Sequence, residues 1–528
     1  MVFTGRMSRG CESCRKLHTK CDEKRPSCSR CVRTNRQCTG YRDTNDLIFR
    51  HTTPKFSKKK ICSVANNGIA RHSNTDLSKS HDCPENERYL PPRSPGRTLL
   101  PSKEDQRLFF FYQTIMENLV DSDHTRYLHS QLPTLFSRSR SGSALHLATQ
   151  AISYATWKKS RSPGCDEGLT IEKRYTQALA ALAEAIRDPV EATSDETLYT
   201  VLLLSGYETI TFNSEALPAW GTHVDGAAAL VKNRGTENFS TPFACMMFLF
   251  IRRNAIQSHV QTSTPVDPIF EECDDILSPY ENIEDRLLSK TMRIPKLQAW
   301  ANKLLSPSSW ELEEDLISEL LRSAEDLDYE LSNWAFRIPA QWSYSTITRI
   351  ETLETSFTPG AVYVPDQIHR YPNLYVARIW NLYRVSRLII QSLIHRVSCF
   401  CPTTTEATQD RIDTINQSMV SQICASIPFL LGYDCSALKH TTNSPPSSLW
   451  PQCLPNKPRV SNNTGKFSLI WPMYLASSVN SVPENQKDWL REQLSWIART
   501  GDAHAQVLRN FRSQTLVGRP EAFRFDCV

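Results

Sequence analysis

The chain has 528 residues, of which 40% are hydrophobic and 22% are charged. This composition is ordinary for a folded protein and excludes a chain that is disordered throughout. The longest uninterrupted apolar run, at 243–251, is far shorter than the roughly 20 residues that cross a membrane, and the N-terminus lacks the apolar segment of a secretory signal. We therefore expect no membrane association.

The net charge of +5 is unevenly distributed along the chain. Residues 1–60 carry a net charge of +11, whereas the rest of the chain carries −6. A basic segment joined to a mildly acidic body predicts a polyanion-binding module at the N-terminus and a body that does not bind polyanions.

The cysteines are just as unevenly placed. Six of the 17 lie between residues 11 and 38, in two copies of the pattern C-x2-C-x6-C that are joined by six residues. An odd total without a secretory signal does not favour a disulfide framework, and clustered thiols in a reducing compartment more often bind metal. The alternatives are buried structural thiols or a redox pair.

Zinc prefers four tetrahedral thiolates, so two zinc ions need eight ligand positions. Six cysteines fill eight positions only if two of them are shared, and the symmetry of the repeat makes Cys11 and Cys28 the natural pair. The predicted zinc sites are Cys11, Cys14, Cys21 and Cys28 for one ion, and Cys11, Cys28, Cys31 and Cys38 for the other.

This spacing, with CDEKRP between the repeats, resembles the fungal Zn2Cys6 binuclear cluster family of DNA-binding transcription regulators. Pro26 stands where the family has the proline that shapes the joining loop. The resemblance implies that a short helix of the first repeat enters the major groove of double-stranded DNA and that the usual target is a CGG triplet. It also implies a nuclear regulator of RNA polymerase II transcription.

The candidate DNA-binding residues are Arg15, Lys16, His18 and Lys20. We expect Arg15 and Lys20 to contact phosphates and His18 to reach base edges. The family most often has two basic residues where this chain has Leu17 and His18. Two alternatives therefore stay open: His18 contacts a phosphate, or the backbone carbonyl of Leu17 reads the base.

The cysteine pattern predicts a small, metal-stabilised zinc cluster with two helices at 1–42. The proline- and serine-rich composition that follows predicts a mostly disordered, basic linker at 43–103. The basic run at 58–60 is either a nuclear import signal, an additional grip on DNA or part of a solvated linker. No sustained heptad pattern is present, so the linker does not predict a coiled coil, although a homodimer remains a candidate.

From residue 104 to 528 apolar residues recur every three or four positions, which predicts a large all-α domain. The predicted helices span 106–120, 143–158, 170–187, 194–210, 219–233, 242–260, 311–334, 374–394, 409–431 and 484–511. Long polar loops are expected at 135–142, 261–280, 346–366 and 436–465.

Five segments of this body resemble the fungal-specific transcription factor domain, in the second of its common types; they lie at 195–208, 220–235, 375–390, 423–432 and 469–476. The second segment reads WGTHVDGAAAL at its start. In it we expect Trp220 and His223 to share a helix face, and Gly226 and Ala227 to permit close helix approach. His223 is interpreted as a core residue rather than a metal ligand.

The sequence contains no P-loop, GxSxG, HExxH or GxGxxG motif, and the pair Cys399 and Cys401 has no further ligand at a suggestive spacing. We therefore predict no catalytic residues and no enzyme activity. The leading hypothesis is a pathway-specific regulator, for example of a secondary-metabolite gene cluster, that works with the transcription machinery or co-regulators. One alternative is a helical ligand-binding or enzymatic protein that carries the zinc domain of residues 1–42, here called the zinc head. The other is a transcriptional repressor.

Overall fold

The chain divides into two compact units, Met1–Ser94 and Pro95–Val528. The computed structural model describes residues 11–17, 19–22, 24, 27–38, 101–119, 123–160, 168–211, 220–271, 277–306, 314–349, 363, 365–401, 405–432 and 463–509. Within these ranges the chain forms seventeen α-helices and one small sheet.

The first unit contains two short helices, α1 (Glu12–Lys16) and α2 (Ser29–Arg33). Each follows the first cysteine of a repeat. Their common core consists of cysteine side chains alone among the residues described there, since Cys11, Cys14, Cys28 and Cys31 are buried and Cys21 and Cys38 are packed against them. A core made of thiols is too small to fold without another source of stability.

The second unit begins with seven helices that surround one hydrophobic core. They are α3 (Lys103–Asn118), α4 (His124–Arg138), α5 (Ala144–Lys159), α6 (Gly168–Arg187), α7 (Asp195–Thr211), α8 (Trp220–Arg234) and α9 (Pro242–Thr262). A capping box between Ser102 and Asp105 begins α3, and Thr241 followed by Pro242 begins α9. Phe111, Tyr199 and Phe248 lie at the centre of this core.

Eight further helices build a second core. They are α10 (Ile283–Thr291), α11 (Arg293–Leu304), α12 (Glu314–Phe336), α13 (Leu374–Ser398), α14 (Glu406–Leu430), α15 (Asn463–Ala476), α16 (Glu484–Arg499) and α17 (Ala503–Leu508). Most side chains of α13 are buried, so this helix runs through the middle of the bundle and packs against α11, α12, α14 and α15. Val260 and Leu382 pack against both cores and mark the seam between them.

The strands β1 (Ser345–Arg349) and β2 (Gln367–Arg370) form an antiparallel pair. Ser345 lies opposite Arg370, and the register shifts between Thr346 and Thr348. This small ribbon packs against α14 and does not change the all-α character of the body.

The all-α prediction is confirmed, but four helices were not predicted: α4, α10, α11 and α15. Pro133 lies inside α4 and Pro472 inside α15, and a proline removes one backbone hydrogen bond, so the sequence pattern disfavours a helix at both places. The expected loop at 135–142 is wrong in its first half because α4 continues to Arg138. The single helix predicted at 484–511 is also wrong: it ends at Arg499, and Gly501 adopts a φ of 96° before α17 begins.

The expected role of Gly226 is wrong as well. A Cβ atom added at Gly226 would meet nothing within 4 Å, so no neighbouring helix requires a glycine there. The close approach occurs instead at Gly206 on α7, where an added Cβ would lie 3.1 Å from Cδ1 of Ile152 on α5. Glycine at 206 therefore lets two helices of the first core pack tightly.

The helices of the described part are all too short or too polar to cross a membrane. The predicted linker lies outside the described residues as far as residue 100, and α3 begins at its end, three residues earlier than expected. The chain between α14 and α15 also lies outside the described residues from 433 to 462.

Candidate metal centre and nucleic-acid interface

The two cysteine repeats fold in the same way. Helix α2 repeats α1 at an offset of 17 residues. The amide of Thr19 donates to the Cys14 carbonyl at 2.9 Å, and the amide of Arg36 donates to the Cys31 carbonyl at the same distance. The duplication that is visible in the sequence is thus a structural duplication, in which the third cysteine of each repeat returns to the first two.

The six sulfur atoms form two overlapping groups of four. Cys11, Cys14, Cys21 and Cys28 make one group, and Cys11, Cys28, Cys31 and Cys38 make the other, with all ligand atoms of a group within 4.8 Å of one another. Cys11 and Cys28 belong to both groups, as the counting argument predicts.

The distances between sulfurs fit tetrahedral zinc. The Sγ atom of Cys28 lies 3.7 Å from those of Cys11 and Cys14. Four sulfurs at about 2.3 Å from one zinc ion lie about 3.8 Å apart. The donor set, its spacing and its sharing therefore suit two zinc ions, which would supply the stability that the small core lacks.

Burial favours a bound cation at this centre. Burial raises the pKa of the Cys11 thiol well above its usual range. The negative charge of a thiolate in this position therefore has to be stabilised by hydrogen-bond donors or by cations. Backbone amides supply part of this stabilisation, since the amide of Cys31 donates to the Cys28 sulfur at 3.3 Å. Bound metal cations would supply the larger part of the stabilisation, because a coordinated thiol is held deprotonated.

Two side chains that the sequence did not single out connect the halves of the centre. The carboxylate of Asp22 accepts hydrogen bonds from the Ser29 amide at 3.1 and 3.3 Å, which fixes the start of α2 and lowers the pKa of Asp22. The Ser13 hydroxyl donates to the carbonyl of Gln37 at 3.0 Å. Both contacts join the first repeat to the second, and no local pattern reveals them.

The predicted DNA-binding residues lie on and after α1. Lys16 and Lys20 are exposed, and Arg15 lies within α1, although its side chain is outside the described set. His18 falls outside the described residues. The first unit has further exposed cations at Lys24, Arg30, Arg33 and Arg36.

His223 on α8 is not a plain packing residue. Its Nε2 atom lies 2.8 Å from a carboxylate oxygen of Glu208, which also accepts a hydrogen bond from the Tyr175 hydroxyl. Within the described residues, the groups that could hold a metal are those of the zinc head, so His223 is a polar bridge between α7 and α8.

Two family models match the chain. The model described as the fungal Zn(2)-Cys(6) binuclear cluster domain matches residues 9–46, and that of the fungal specific transcription factor domain matches residues 107–511. The second match covers more than half of the chain.

Curated relatives agree with the models. Transcription factor dbaG of Emericella nidulans is 24% identical over 325 residues, which are 62% of this chain and 72% of the relative. White-opaque regulator 2 of Candida albicans is 45% identical over 46 residues, 9% of this chain and 10% of that protein. The aspercryptin biosynthesis cluster-specific transcription regulator atnN of Emericella nidulans is 54% identical over 37 residues, 7% of this chain and 6% of that protein. No solved structure matches the chain.

Proposed function

Because the chain belongs to the fungal transcription factor family in which a Zn2Cys6 cluster accompanies a fungal specific transcription factor domain, we propose that it is a zinc-dependent, sequence-specific regulator of RNA polymerase II transcription. Proteins of this family bind DNA and regulate transcription, and they are not enzymes. The observation that carries the proposal is the pair of four-sulfur groups that share Cys11 and Cys28, with exposed lysines on and after α1.

The proposal divides the chain into a DNA-binding head at 1–42, a linker at 43–103 and a regulatory body at 104–528. The charge distribution supports this division, since a net charge of +11 lies in residues 1–60 and −6 in the rest. A body of negative net charge is repelled by DNA and leaves the head to supply the affinity.

In the head, Arg15, Lys16 and Lys20 contact phosphates and His18 reads base edges within a CGG-type triplet. A neutral imidazole offers one donor and one acceptor, without the bidentate fork of arginine. A single contact of this kind discriminates by about 1 kcal/mol, at the lower end of what a bidentate pair supplies. The protein therefore relies on paired half-sites, bound as a homodimer, or on contacts outside the triplet to gain specificity.

The regulator acts in the nucleus on a defined set of genes and contacts co-regulators through its body. The relative atnN is named as a cluster-specific regulator of aspercryptin biosynthesis, and its matched part is the length of a zinc head. By analogy this chain controls a gene cluster of secondary metabolism. Transcript profiling of a deletion strain tests this point: loss of expression over one contiguous set of genes supports it, and scattered small changes contradict it.

The reading mechanism is tested by selecting binding sites from random oligonucleotides with the full-length protein. We expect Arg15→Ala and Lys20→Ala each to weaken binding to all sequences alike and to reduce the salt slope by about 1. His18→Ala should leave the salt slope unchanged and relax the preference within the triplet. Lys303→Ala, which removes an exposed charge from α11 in the body, is the matched control and should change neither property.

If the His18→Ala variant selects the same triplet with the same stringency, the histidine is not the reader, and the backbone carbonyl of Leu17 takes its place. If Lys303→Ala weakens DNA binding as much as Lys20→Ala, the body takes part in binding. The proposed division between head and body is then wrong.

A further inference from the structure

An aromatic groove lies on the first core of the body, where α3 meets α4 and the end of α5. Its volume is about 700 Å³. Ligand sites in proteins typically measure roughly 300–1,000 Å³, so the groove is large enough to take several side chains of a short peptide. Its wall begins at Pro101, which directly precedes the first turn of α3.

The wall is mostly aromatic. Its rings belong to Phe109, Phe110 and Tyr112 on α3, to Phe136 on α4 and to Trp157 on α5. The rings of Phe110 and Trp157 meet edge to face at 5.2 Å, which fixes the orientation of both. Phe109 is 66% exposed. An exposed ring beside partly buried ones is typical of an interaction surface, and aromatic grooves of this kind bind extended, proline-containing peptides.

One edge of the groove is negative. Among the wall residues, which are all described, Asp105 alone is charged. Its Oδ2 atom accepts from the Ser102 amide at 3.2 Å and from the Ser102 hydroxyl at 2.7 Å. Its Oδ1 atom takes part in neither bond, so it can accept a hydrogen bond from a cationic side chain. The groove therefore favours a peptide with a positive charge near its apolar residues.

Two glutamines of the wall offer acceptors along α3. The Nε2 atom of Gln106 donates to the Pro101 carbonyl at 2.9 Å, and that of Gln113 donates to Glu117 at 2.6 Å. Each amide has thus used a donor and keeps its Oε1 atom as an acceptor. The two glutamines are about 10 Å apart along the helix, which is close to the length of three residues of an extended chain. Backbone N–H groups of an extended peptide match this spacing.

The chain itself supplies such a peptide. Residues 95–100 read PGRTLL and lie outside the described residues, and the next residue is Pro101 in the wall. Six extended residues reach about 20 Å, whereas α3 is about 12 Å long from Asp105 to Gln113. The segment offers a proline and two leucines to the rings, and Arg97 with no acidic residue to the negative edge. Its attachment at the groove also gives it a high effective concentration there.

We propose that this groove binds segment 95–100 of the same chain in an extended conformation. Leu99 and Leu100 pack against the aromatic rings, and Arg97 pairs with Asp105. The end of the linker is then held on the body, which shortens by six residues the length of chain that joins the zinc head to the body. This inference goes beyond the proposed function and does not depend on DNA binding.

The first test is limited trypsin digestion of the full-length protein, with initial cleavage rates measured by mass spectrometry. Trypsin can cut after Arg97 inside the segment and after Arg88 outside it. Each rate is divided by the rate at the same bond in the free synthetic peptide 84–102. Cleavage of a segment that binds and opens rapidly follows the population of the open form. We therefore expect the relative rate after Arg97 to be at least about 10-fold lower than that after Arg88.

Phe109→Ala removes the exposed ring of the wall and should raise the cleavage rate after Arg97 toward that of the free peptide. Tyr329→Ala is the matched control, because it removes an aromatic side chain that is 68% exposed on α12 and is not part of the wall. It should leave the rate unchanged. Both substitutions are on the surface, so the circular dichroism spectrum of each variant should match that of the wild type.

A second test identifies the occupant. Leu99→Asp combined with Leu100→Asp should empty the groove, since carboxylates lose their hydration against an aromatic wall. By fluorescence anisotropy, this double variant should bind a labelled peptide 95–102 more tightly than the wild type does, because the groove of the wild type is filled. A labelled peptide with Arg97→Glu should bind the double variant about 5-fold more weakly than the unchanged peptide.

Equal relative cleavage rates after Arg97 and Arg88 in the wild type overturn the proposal, as does an unchanged rate after Arg97 in the Phe109→Ala variant. Peptide binding that is equal in the wild type and the double variant also overturns it, because the segment then does not fill the groove. If sedimentation shows a dimer that Phe109→Ala converts to a monomer, the groove holds a second copy and the proposal is wrong.

Discussion

The sharing of two cysteines predicts unequal losses of metal when single cysteines are replaced. Cys28 is completely buried and belongs to both four-sulfur groups, whereas Cys38 is partly buried and belongs to one. Cys28→Ala therefore leaves two sites with three sulfurs each, and Cys38→Ala leaves one site complete.

The magnitude follows from the energy of a structural zinc site. Apparent binding energies are about 10–16 kcal/mol, so one thiolate of four contributes about 2.5–4 kcal/mol, which is roughly two to three orders of magnitude in affinity. We expect the wild type to hold two zinc ions, Cys38→Ala to keep about one, and Cys28→Ala to lose both to a chelator that the wild type resists.

Native mass spectrometry gives the stoichiometry, and competition with a chromogenic chelator gives the affinity. Cys399→Ala, which removes an exposed thiol at the end of α13, is the control and should keep the metal content of the wild type. Equal zinc loss in the Cys28 and Cys38 variants would refute the shared arrangement.

Two predictions concern the stability of the body. Burial lowers the pKa of His129 from 6.5 to about 4, so between these values the unfolded chain binds a proton that the folded chain does not, and the free energy of unfolding falls as the pH drops through this window. His129→Gln removes this titration and leaves an amide near the Tyr199 hydroxyl. It should weaken the pH dependence of the free energy of unfolding, measured by urea denaturation at pH 7 and 5, while His369, whose pKa burial also lowers, keeps part of it. An unchanged dependence would contradict the assignment. Arg387 donates to both oxygens of Asp328 at 2.8 and 2.7 Å. Arg387→Met should cost about 2 kcal/mol by leaving a partly buried carboxylate unpaired. The double variant Arg387→Met with Asp328→Leu should recover most of the Tm in a thermal melt, and no recovery would show that the loss comes from packing.

The head could be predicted closely from sequence because its chemistry is local. Six thiols in a duplicated spacing leave few ways to fill zinc shells, and counting ligands identified Cys11 and Cys28 as the shared pair. The hydrogen bond from the Ser29 amide to the Asp22 carboxylate was not predicted, since nothing in the cysteine spacing shows which acidic residue contacts the start of α2.

Only the fold class of the body, all-α, could be predicted from the sequence. Helical periodicity identified most of its long helices, but α4 and α15 contain prolines, and their helical form depends on packing against neighbours rather than on local preference. Arg378 on α13 lies 3.0 Å from Glu284 on α10 and 3.5 Å from Asp123 before α4, so these ion pairs join segments that are far apart in sequence. Such contacts leave no periodic signal for a single sequence to show.

The repeated fold of the head also limits how such a module can grow. Each repeat supplies three sulfurs, so neither half can complete a tetrahedral shell without borrowing a sulfur from the other. A string of independent zinc fingers can be extended one finger at a time. A third repeat added here would find all six thiols already in a four-sulfur group, and it could complete its own shell only by making a further cysteine a bridging ligand. The two repeats therefore form a closed unit that cannot be lengthened repeat by repeat as a string of fingers can.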